Sequence, residues 1–378
     1  MEYMIRIFPA NGVKLFNKYS RRCFQLPRYC STETSESKKQ KKPHPYRNIH
    51  PWKSLTQFSN SLVAGVIHNE DGLVAVNKPY GISGRNREIK IDKPTRIVND
   101  VNYSLEDAVP HIASALGYQS LQLIKTPEKF ASGIALLSAN ETVQNAVEKS
   151  LRRAEGMRIL SKTYWVVTTK LPNMMEGEMR LAIRQQPEPG GTFTQPVIIT
   201  SWTKKEQKTR EIKILNVQFK VISNAIDNIS SLVQIRSSTV RWHALRLLAA
   251  TVLYSPILGD EKYGSRIKNV LGKWVNVSPF VDAAKEPPKL DKHFLKKLDL
   301  QQGKESLIPT HIHLREMYLP MYKKKDRTLI LTAPPMPEFT WTCKQLRFKH
   351  DLFTNEKTNQ TNDKECEDKE FARHQAVT

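Results

Sequence analysis

One carboxylate, that of Glu128, lies in a polar loop between two apolar stretches of the sequence. The loop, KTPEKF, leads directly into the apolar segment SGIALL at residues 132–137. A carboxylate beside a cleft can serve as a nucleophile or as a general base. A solvated loop acid between Lys125 and Lys129 accounts for the same residues, so this stretch alone leaves both interpretations of Glu128 open.

Two histidines, His311 and His313, alternate along another strand-like stretch. Alternate side chains of a strand face the same side, an arrangement that metal ligands sometimes use. No third ligand lies close to them in the sequence, and the four cysteines form no Cys-x-x-Cys pair. We therefore interpret both histidines as ordinary strand residues, and we predict neither a zinc site nor a disulfide framework.

The segments that must position Glu128 alternate irregularly between strands and helices. Apolar, β-branched and aromatic runs predict strands at LVAVNKPYG, LQLI, GIALLSAN, KTYWVVTT, EIKILNVQFKVI and SSLVQIRSS. Helical spacing predicts helices at SLEDAVPHIASALG, at 140–153 and at RWHALRLLAATVLY. This order favours an α+β fold, with a mixed, largely antiparallel β-sheet and flanking helices.

The first of these helices carries its own start and stop signals. Ser104 and Asp107 have the spacing of a capping box, and Gly117 is a suitable C-terminal stop. Pro110, inside the same stretch, opposes a helix because proline lacks the N–H donor that a helix interior needs. We predict a helix between Ser104 and Gly117 in spite of this proline.

The charge balance indicates a polyanionic partner. The 378-residue chain has 59 Lys and Arg against 37 Asp and Glu, which gives a formal net charge of +22 and a pI near 9.7. Nucleic acid is a frequent partner of so basic a protein, although a solubilising surface or a basic targeting arm gives the same balance. The sequence has no uncharged apolar run of about 18 residues, so we predict no membrane span.

Composition divides the chain into four parts. Residues 1–32 hold six Lys and Arg and one acid, with apolar residues interleaved, which is typical of a mitochondrial presequence that directs import into the matrix. A disordered basic N-terminus is the alternative. Residues 33–50 are predicted as a polar linker, and residues 349–378 as a disordered acidic and polar tail. Residues 51–348 are then the predicted folded domain.

Several stretches resemble, in order, the motifs of RluA-type RNA pseudouridine synthases. VAVNKPYGIS is similar to the entry strand of that family, EKFASGIALLSAN to the second half of its HRLD and SG motif, and KTYWVVTTKLP to its K-x-Y strand. VRWHALRLLAATVLYSPILGDEKYG is similar to the motif that begins GRTHQIR, and THIHLREMYL and APPMPEF to the closing pieces. Their order over about residues 60–345 makes the resemblance specific.

The resemblance implies a pseudouridine synthase catalytic domain that isomerises uridine in RNA to pseudouridine. The family needs neither a metal nor an organic cofactor, and it uses one carboxylate, the Asp of HRLD. Glu128 stands at that position, five residues before Gly133, and Lys125, Thr126 and Pro127 replace the preceding His, Arg and Leu. Glu is one methylene longer than Asp, which can displace the carboxylate by roughly 1 Å, and such a displacement can cost about 100-fold in rate.

The same resemblance assigns substrate-binding roles to three further residues. Tyr164 matches the K-x-Y tyrosine, which stacks on the target base, a contact that can contribute ~1–3 kcal/mol. A half-buried strand tyrosine is the alternative. Arg246 matches the Arg of HQIR, which pairs with the catalytic carboxylate and keeps it ionised, and a surface arginine on an amphipathic helix is the alternative. Arg241 and His243 match neighbouring positions of that motif.

The helical piece that carries Arg246 departs from the motif. Ala244 replaces its Gln, and the segment 243–256 is one residue longer, so we expect a changed register of the helix. The next piece, PILGDEKYG, matches well, and we predict structural roles for its Asp260 and Tyr263.

Two functions remain open on the sequence. The first is a cofactor-independent pseudouridine synthase that acts on mitochondrial mRNA or rRNA through Glu128. The second is a catalytically impaired RNA-binding protein of the same fold, acting in mitochondrial RNA or ribosome biogenesis, which the replaced HRL residues motivate. An interaction scaffold with no RNA role is a third, weaker alternative.

Overall fold

The computed structural model describes residues 43–86, 97, 100–191, 193–323 and 327–349. The predicted presequence, most of the predicted linker and the predicted tail from residue 350 onward lie outside these residues. The presequence and the tail therefore remain predictions.

Eleven strands of the described chain form one large sheet, and two more form a separate hairpin. The strands are β1 (Val66–Glu70), β2 (Leu73–Lys78), β3 (Gln122–Lys125), β4 (Ser132–Ser138), β5 (Lys162–Val167), β6 (Glu176–Pro187), β7 (Thr194–Ile199), β8 (Ile212–Asn224), β9 (Ser231–Ser237), β10 (Ile267–Val270), β11 (Lys273–Asn276), β12 (Ile312–Leu319) and β13 (Leu329–Thr332). The sheet order is β1-β2-β4-β12-β5-β9-β8-β6-β7, with β3 on β4 and β13 on β12. The β4–β12 pair is parallel and the other described pairs are antiparallel, which confirms the predicted fold class.

Helices accompany this sheet. The α-helices of the described residues are α1 (Leu55–Ala64), α2 (Leu105–Ala115), α3 (Glu141–Gly156), α4 (Lys204–Lys208), α5 (Ala244–Leu247), α6 (Asp282–Lys285), α7 (Lys292–Lys297) and α8 (Pro337–Gln345). Short 3-10 turns lie at Pro45–Arg47, Arg241–His243 and Glu305–Leu307, and a π-helical turn lies at Leu248–Val252. In the part of the chain that the structure describes, no helix has the length and apolarity that a membrane span needs.

The centre of the sheet is buried on both faces. On β2, Leu73 and Ala75 pack into one apolar cluster, whereas Val74 and Val76 pack into another with α1 and α2. This follows from the two-residue period of a strand, which sends successive side chains to opposite faces. Burial on both faces explains why LVAV is an unbroken apolar run.

The helix α2 forms as its capping signals predict. The Ser104 side chain accepts from Asp107 N, the Asp107 carboxylate accepts from Ser104 N, and Gly117 has the left-handed φ of 76° that suits a residue just past a helix end. Pro110 lies inside the helix and is exposed. Burial of the opposite, apolar face offsets the hydrogen bond that this proline cannot make.

The predicted linker, residues 33–50, extends too far at its C-terminal end. Pro45–Arg47 form a 3-10 turn, and Tyr46 is buried against α8, where its hydroxyl lies 2.7 Å from Thr342 Oγ1. His44 Nε2 lies 2.8 Å from the Leu298 carbonyl oxygen. Within this polar composition Tyr46, Ile49 and His50 are buried, so the folded part includes residues 43–50.

Gly133 allows β4 to approach β12 where the parallel pair forms. Its φ is +114°, and a Cβ atom there would lie 2.3 Å from the Leu314 carbonyl oxygen and 2.7 Å from Leu314 N. No side chain fits in this space. The glycine thus determines how closely β4, and the loop before it, lies against β12.

We expect Gly133→Ala to destabilise the fold strongly, because the added methyl group meets backbone atoms that cannot move independently. Gly117→Ala is the matched control: its φ is +76°, but nothing lies within 4 Å of the added atom, so it should cost only the left-handed strain of ~1–2 kcal/mol. Urea unfolding measures both variants. Equal losses of stability would contradict the close approach at Gly133.

His311 and His313 are buried, and burial lowers the pKa of each from its ordinary 6.5 to about 4. His313 Nδ1 lies 2.9 Å from Ser132 Oγ, and its Nε2 lies 3.1 Å from the Ala333 carbonyl oxygen. Between the folded and unfolded pKa values the unfolded chain binds more protons, so the free energy of unfolding falls as the pH falls.

We therefore expect stability to decrease from about pH 6.5 towards pH 4, by up to about 1.4 kcal/mol per pH unit for each histidine. His313→Gln should reduce that slope, whereas His111→Gln, at a partly exposed helix position, should leave it unchanged. Unfolding by urea at a series of pH values measures the slope. An unaltered slope in His313→Gln would show that this residue is not buried in its neutral form.

Candidate active site

Glu128 lies in the loop between β3 and β4, on a backbone that is fixed at two points. Ala131 N donates to the Glu128 carbonyl oxygen (3.0 Å), and Gly81 N donates to the Lys129 carbonyl oxygen (2.9 Å). The second bond ties this loop to the turn that follows β2. The Glu128 side chain is 37% exposed, so a positioned backbone presents a carboxylate that solvent and substrate can reach.

His243 lies opposite Glu128, at the start of a short helix. Trp242 and His243 both have left-handed φ values, 55° and 59°, and α5 begins only at Ala244. The prediction of a helix from Arg241 is therefore wrong for its first three residues. Such backbone strain is found mainly where tertiary contacts impose it, and local sequence does not encode it. This turn brings His243 Nδ1 to 3.6 Å from Glu128 Oε2.

A π-helical turn at Leu248–Val252 accommodates the extra residue of this segment. Leu253 N donates to the Leu248 carbonyl oxygen, five residues back, at 3.0 Å. A π turn inserts one residue into a helix while it keeps the backbone hydrogen-bonded. Because the insertion follows Arg246, the expected change of register does not reach that residue.

Arg246 is buried, and its ion-pair partner among the described residues is Asp260 rather than Glu128. The predicted pairing of Arg246 with the motif carboxylate is thus wrong in this structure. Asp260 Oδ1 also accepts from Lys262 N and Tyr263 N, each at 3.0 Å. Burial by itself would lower the pKa of Arg246, but the charge and hydrogen bond of Asp260 outweigh it and leave that pKa raised.

Tyr164 lies on β5, with its side chain 3% exposed. Burial raises the pKa of its phenol, and the negative charge of Glu128 raises it further. The phenol is therefore neutral at physiological pH.

Glu128, Tyr164, His243 and Arg246 surround one small cavity of about 20 Å³. Its remaining walls are apolar and come from Ala131, Val240, Leu245 and Ile312. The structure thus brings together three of the four predicted site residues, one from the β3–β4 loop, one from β5 and one from α5.

Several buried polar atoms at this site lack a hydrogen-bond partner within the described residues: His243 Nδ1, Arg246 Nε, Asp260 Oδ2 and the Tyr263 hydroxyl. Nearly all buried polar groups in proteins are hydrogen-bonded. A concentration of unsatisfied donors and acceptors therefore indicates a place where a polar ligand or water completes the hydrogen bonds.

Arg241, the fourth predicted site residue, does not line this cavity. Its side chain is exposed and lines a neighbouring, larger cleft of about 560 Å³, together with Lys125 and Lys162. Val240 lines both the cavity and the cleft. The two spaces are therefore adjacent.

The sequence did not indicate how His243 and Asp260 contribute to this site. His243 matches the motif, but the sequence assigns it no role. The structural role that the sequence predicts for Asp260 does not include its contact with Arg246. The sequence does contain one indication of a cationic partner for Asp260: the residue follows the apolar run SPILG. An acid that is buried next to such a run needs a cation to compensate its charge. No local signal gives the left-handed turn that aims His243.

The chain is similar in sequence to mitochondrial pseudouridine synthases. Pseudouridylate synthase RPUSD4, mitochondrial, of Mus musculus is 26% identical over 303 residues, which cover 78% of this chain and 70% of that protein. Mitochondrial mRNA pseudouridine synthase RPUSD3 of Homo sapiens is 27% identical over 302 residues, which cover 78% and 80% of the two chains. No protein-family model matches the chain.

The fold is similar to that of a solved structure, Human RNA Pseudouridylate Synthase Domain Containing 4. The TM-score is 0.57 at 23% sequence identity, and the match covers 78% of this chain and 97% of the other. At this identity the structural match concerns the fold alone. The ordered motifs, the sequence relatives and this fold all make the chain similar to RluA-type RNA pseudouridine synthases, among them mitochondrial ones.

Proposed function

We propose that the protein isomerises uridine to pseudouridine in mitochondrial RNA, with Glu128 as the catalytic carboxylate. The observation that carries this proposal is the convergence of Glu128, Tyr164 and Arg246 on one cavity from three separate elements. Motif order places these residues far apart in the chain. Their meeting around a cavity is what catalysis requires and what a solvated loop acid does not need.

The reaction is an isomerisation and needs no co-reactant. The bond from the ribose C1′ to N1 of the base breaks, the base turns, and a bond from C1′ to C5 forms. C5 then loses its proton and N1 gains one. A carboxylate can assist as a nucleophile towards the sugar or as a base that removes a proton, and Glu128 is the acid of the cavity that is open to substrate.

The walls of the cavity differ in how firmly they are fixed. Arg246 and its ion-pair partner Asp260 are buried. The side chains of Glu128 and His243 are 37% and 31% exposed. A volume of about 20 Å³ holds little more than one water molecule. An extruded uracil must therefore displace the outer wall, formed by Glu128 and His243, while it packs against the neutral ring of Tyr164.

Asp260 is the positioning residue for Arg246. The ion pair fixes the guanidinium, whose Nε has no hydrogen-bond partner among the described residues. A fixed donor of this kind can stabilise negative charge on the base or on Glu128 without reorganisation during the reaction.

The relatives and the charge support a proposal for the RNA class and the compartment. RPUSD3 of Homo sapiens and Rpusd3 of Mus musculus are named as mitochondrial mRNA pseudouridine synthases, and we extend mRNA as a substrate to this chain, with rRNA as the alternative. The net charge of +22 suits an RNA partner. The basic residues 1–32 would direct import into the matrix.

We expect Glu128→Gln to abolish the modification, with a rate loss of at least about 100-fold, because the amide can neither attack nor take a proton. Cells that lack the protein are supplied with the wild type or the variant, and pseudouridine in mitochondrial RNA is mapped by carbodiimide adducts. A site that disappears without the protein should return with the wild type only.

The matched control is Glu70→Gln, at an exposed acid at the end of β1, which should restore the site fully. Glu128→Asp adds a test of fit, because it withdraws the carboxylate by roughly 1 Å and should lower the rate substantially. Restoration of the site by Glu128→Gln would remove this residue from the mechanism. If loss of the protein changed no pseudouridine site in mitochondrial RNA, the protein would be an RNA-binding relative that does not form pseudouridine.

Asp260→Asn should destabilise the protein by about 3–5 kcal/mol, because it leaves the buried Arg246 charge uncompensated. The control is Asp282→Asn, which removes the acid of an exposed pair with Lys285 and should have no measurable effect. Urea unfolding compares the two. A loss below about 1 kcal/mol for Asp260→Asn would show that the ion pair does not stabilise the site.

A further inference from the structure

The cleft beside the candidate active site is strongly basic. It measures about 560 Å³, and its charged lining consists of five cations and one acid, Glu155. We call it the basic cleft and define it by the five cations: Lys125, Arg158, Lys162, Lys213 and Arg241. They come from the end of β3, the segment before β5, β5 itself, β8 and the turn before α5, so tertiary structure gathers them.

The basic cleft opens directly next to the catalytic cavity. Val240 forms part of the lining of both. Lys125 lies three residues before Glu128, and Arg241 lies two residues before His243. A polymer whose one unit occupies the cavity therefore has its neighbouring units at the mouth of the basic cleft.

Lys162 is one of the partly buried cations of the basic cleft. Burial lowers the pKa of its ammonium group, and the positive charge of Lys125 lowers it further, whereas the charge of Glu128 raises it. Three of the five cations, Lys125, Arg158 and Arg241, are exposed, whereas Lys162 and Lys213 are partly buried. Charges of one sign gathered in one cleft repel each other, and a bound anion relieves that repulsion.

The shape and the uncharged lining favour a nucleotide chain over a single small anion. The volume greatly exceeds that of one phosphate group, and the walls between the cations include hydroxyl and amide side chains, those of Ser161, Asn216, Ser238 and Thr239. Such groups commonly bind phosphate and sugar oxygens. Trp242 also lies nearby, with Lys213 Nζ 5.8 Å from its ring centroid.

We propose that the basic cleft binds the RNA phosphodiesters next to the target uridine, and so sets the register in which a nucleotide enters the cavity. This inference rests on the proposed function, because it takes RNA as the substrate. Arg241 then contributes to substrate binding through the backbone, in a position separate from the base. Phosphate contacts of this kind position a strand without reading its sequence.

The test compares Lys125→Gln/Lys213→Gln with a control pair, Lys292→Gln/Lys296→Gln, which removes two exposed lysines of α7. Binding of a single-stranded RNA that contains the target uridine is measured over a series of KCl concentrations. Each phosphate contact contributes about 0.7 to the slope of log K against log salt concentration. The cleft variant should lower the magnitude of the slope by about 1.4, and the control pair should leave it close to the wild-type value.

A second arm replaces the phosphates beside the target uridine by neutral methylphosphonates. These should weaken binding to the wild type and to the control pair, with no further loss in the cleft variant, because the contacts are already absent. The proposal would be overturned if the methylphosphonates weakened RNA binding by the cleft variant as much as binding by the wild type. It would also be overturned if the cleft variant kept the salt slope of the wild type. The proposal would also be overturned if uridine 5′-monophosphate raised the melting temperature of the wild type alone while all variants bound RNA equally. That result would indicate a site for a free nucleotide.

The readout of this experiment is binding, so its failure is separable from failure of the proposed function. Cleft-dependent RNA binding without any pseudouridine formation would support the basic cleft and reject the catalytic proposal. If the cleft variant formed pseudouridine and bound RNA as the wild type does, the proposed role of the basic cleft in RNA binding would be rejected. The catalytic role of Glu128 would be unaffected.

Discussion

The buried ion pair between Arg246 and Asp260 is the interaction on which the site depends. It joins α5 to the loop that begins at Gly259, and the same carboxylate oxygen caps the turn at Lys262 and Tyr263. Without Asp260, burial would make the Arg246 charge unfavourable, because a guanidinium cannot lose its proton to escape a poor environment. The pair therefore allows a permanent cation to line the same small cavity as Glu128.

The distribution of charge around Glu128 is consistent with this arrangement. Arg246 lines the same cavity, His243 lies 3.6 Å away, and the Lys162 ammonium group is close enough for Glu128 to raise its pKa. A single negative charge in a strongly basic surrounding gains favourable Coulomb energy. The single acid among these lysines thus interacts favourably with the surrounding cations, and the same cations attract RNA.

Most of the sheet and the place of Glu128 could be predicted from the sequence, because the signals are local. Strand runs such as LVAV, the capping box at Ser104 and the motif spacing to Gly133 each depend on a few neighbouring residues. The partner of Arg246, the left-handed turn at Trp242 and His243, and the anchoring of Tyr46 against α8 depend on contacts between distant parts of the chain. Local propensity carries no information about such contacts, so the sequence suggested Glu128 as the partner of Arg246 and a linker around Tyr46.

Tritium release from RNA labelled at C5 of uridine, with purified wild-type protein and with Glu128→Gln, measures the isomerisation directly. Formation of the C1′–C5 bond expels the C5 hydrogen, so release reports the isomerisation itself and not RNA binding. We expect the wild type to release tritium in step with pseudouridine formation and the variant to release none. Tight RNA binding by the wild type without tritium release, on RNA from cells that lack the protein, would contradict this expectation.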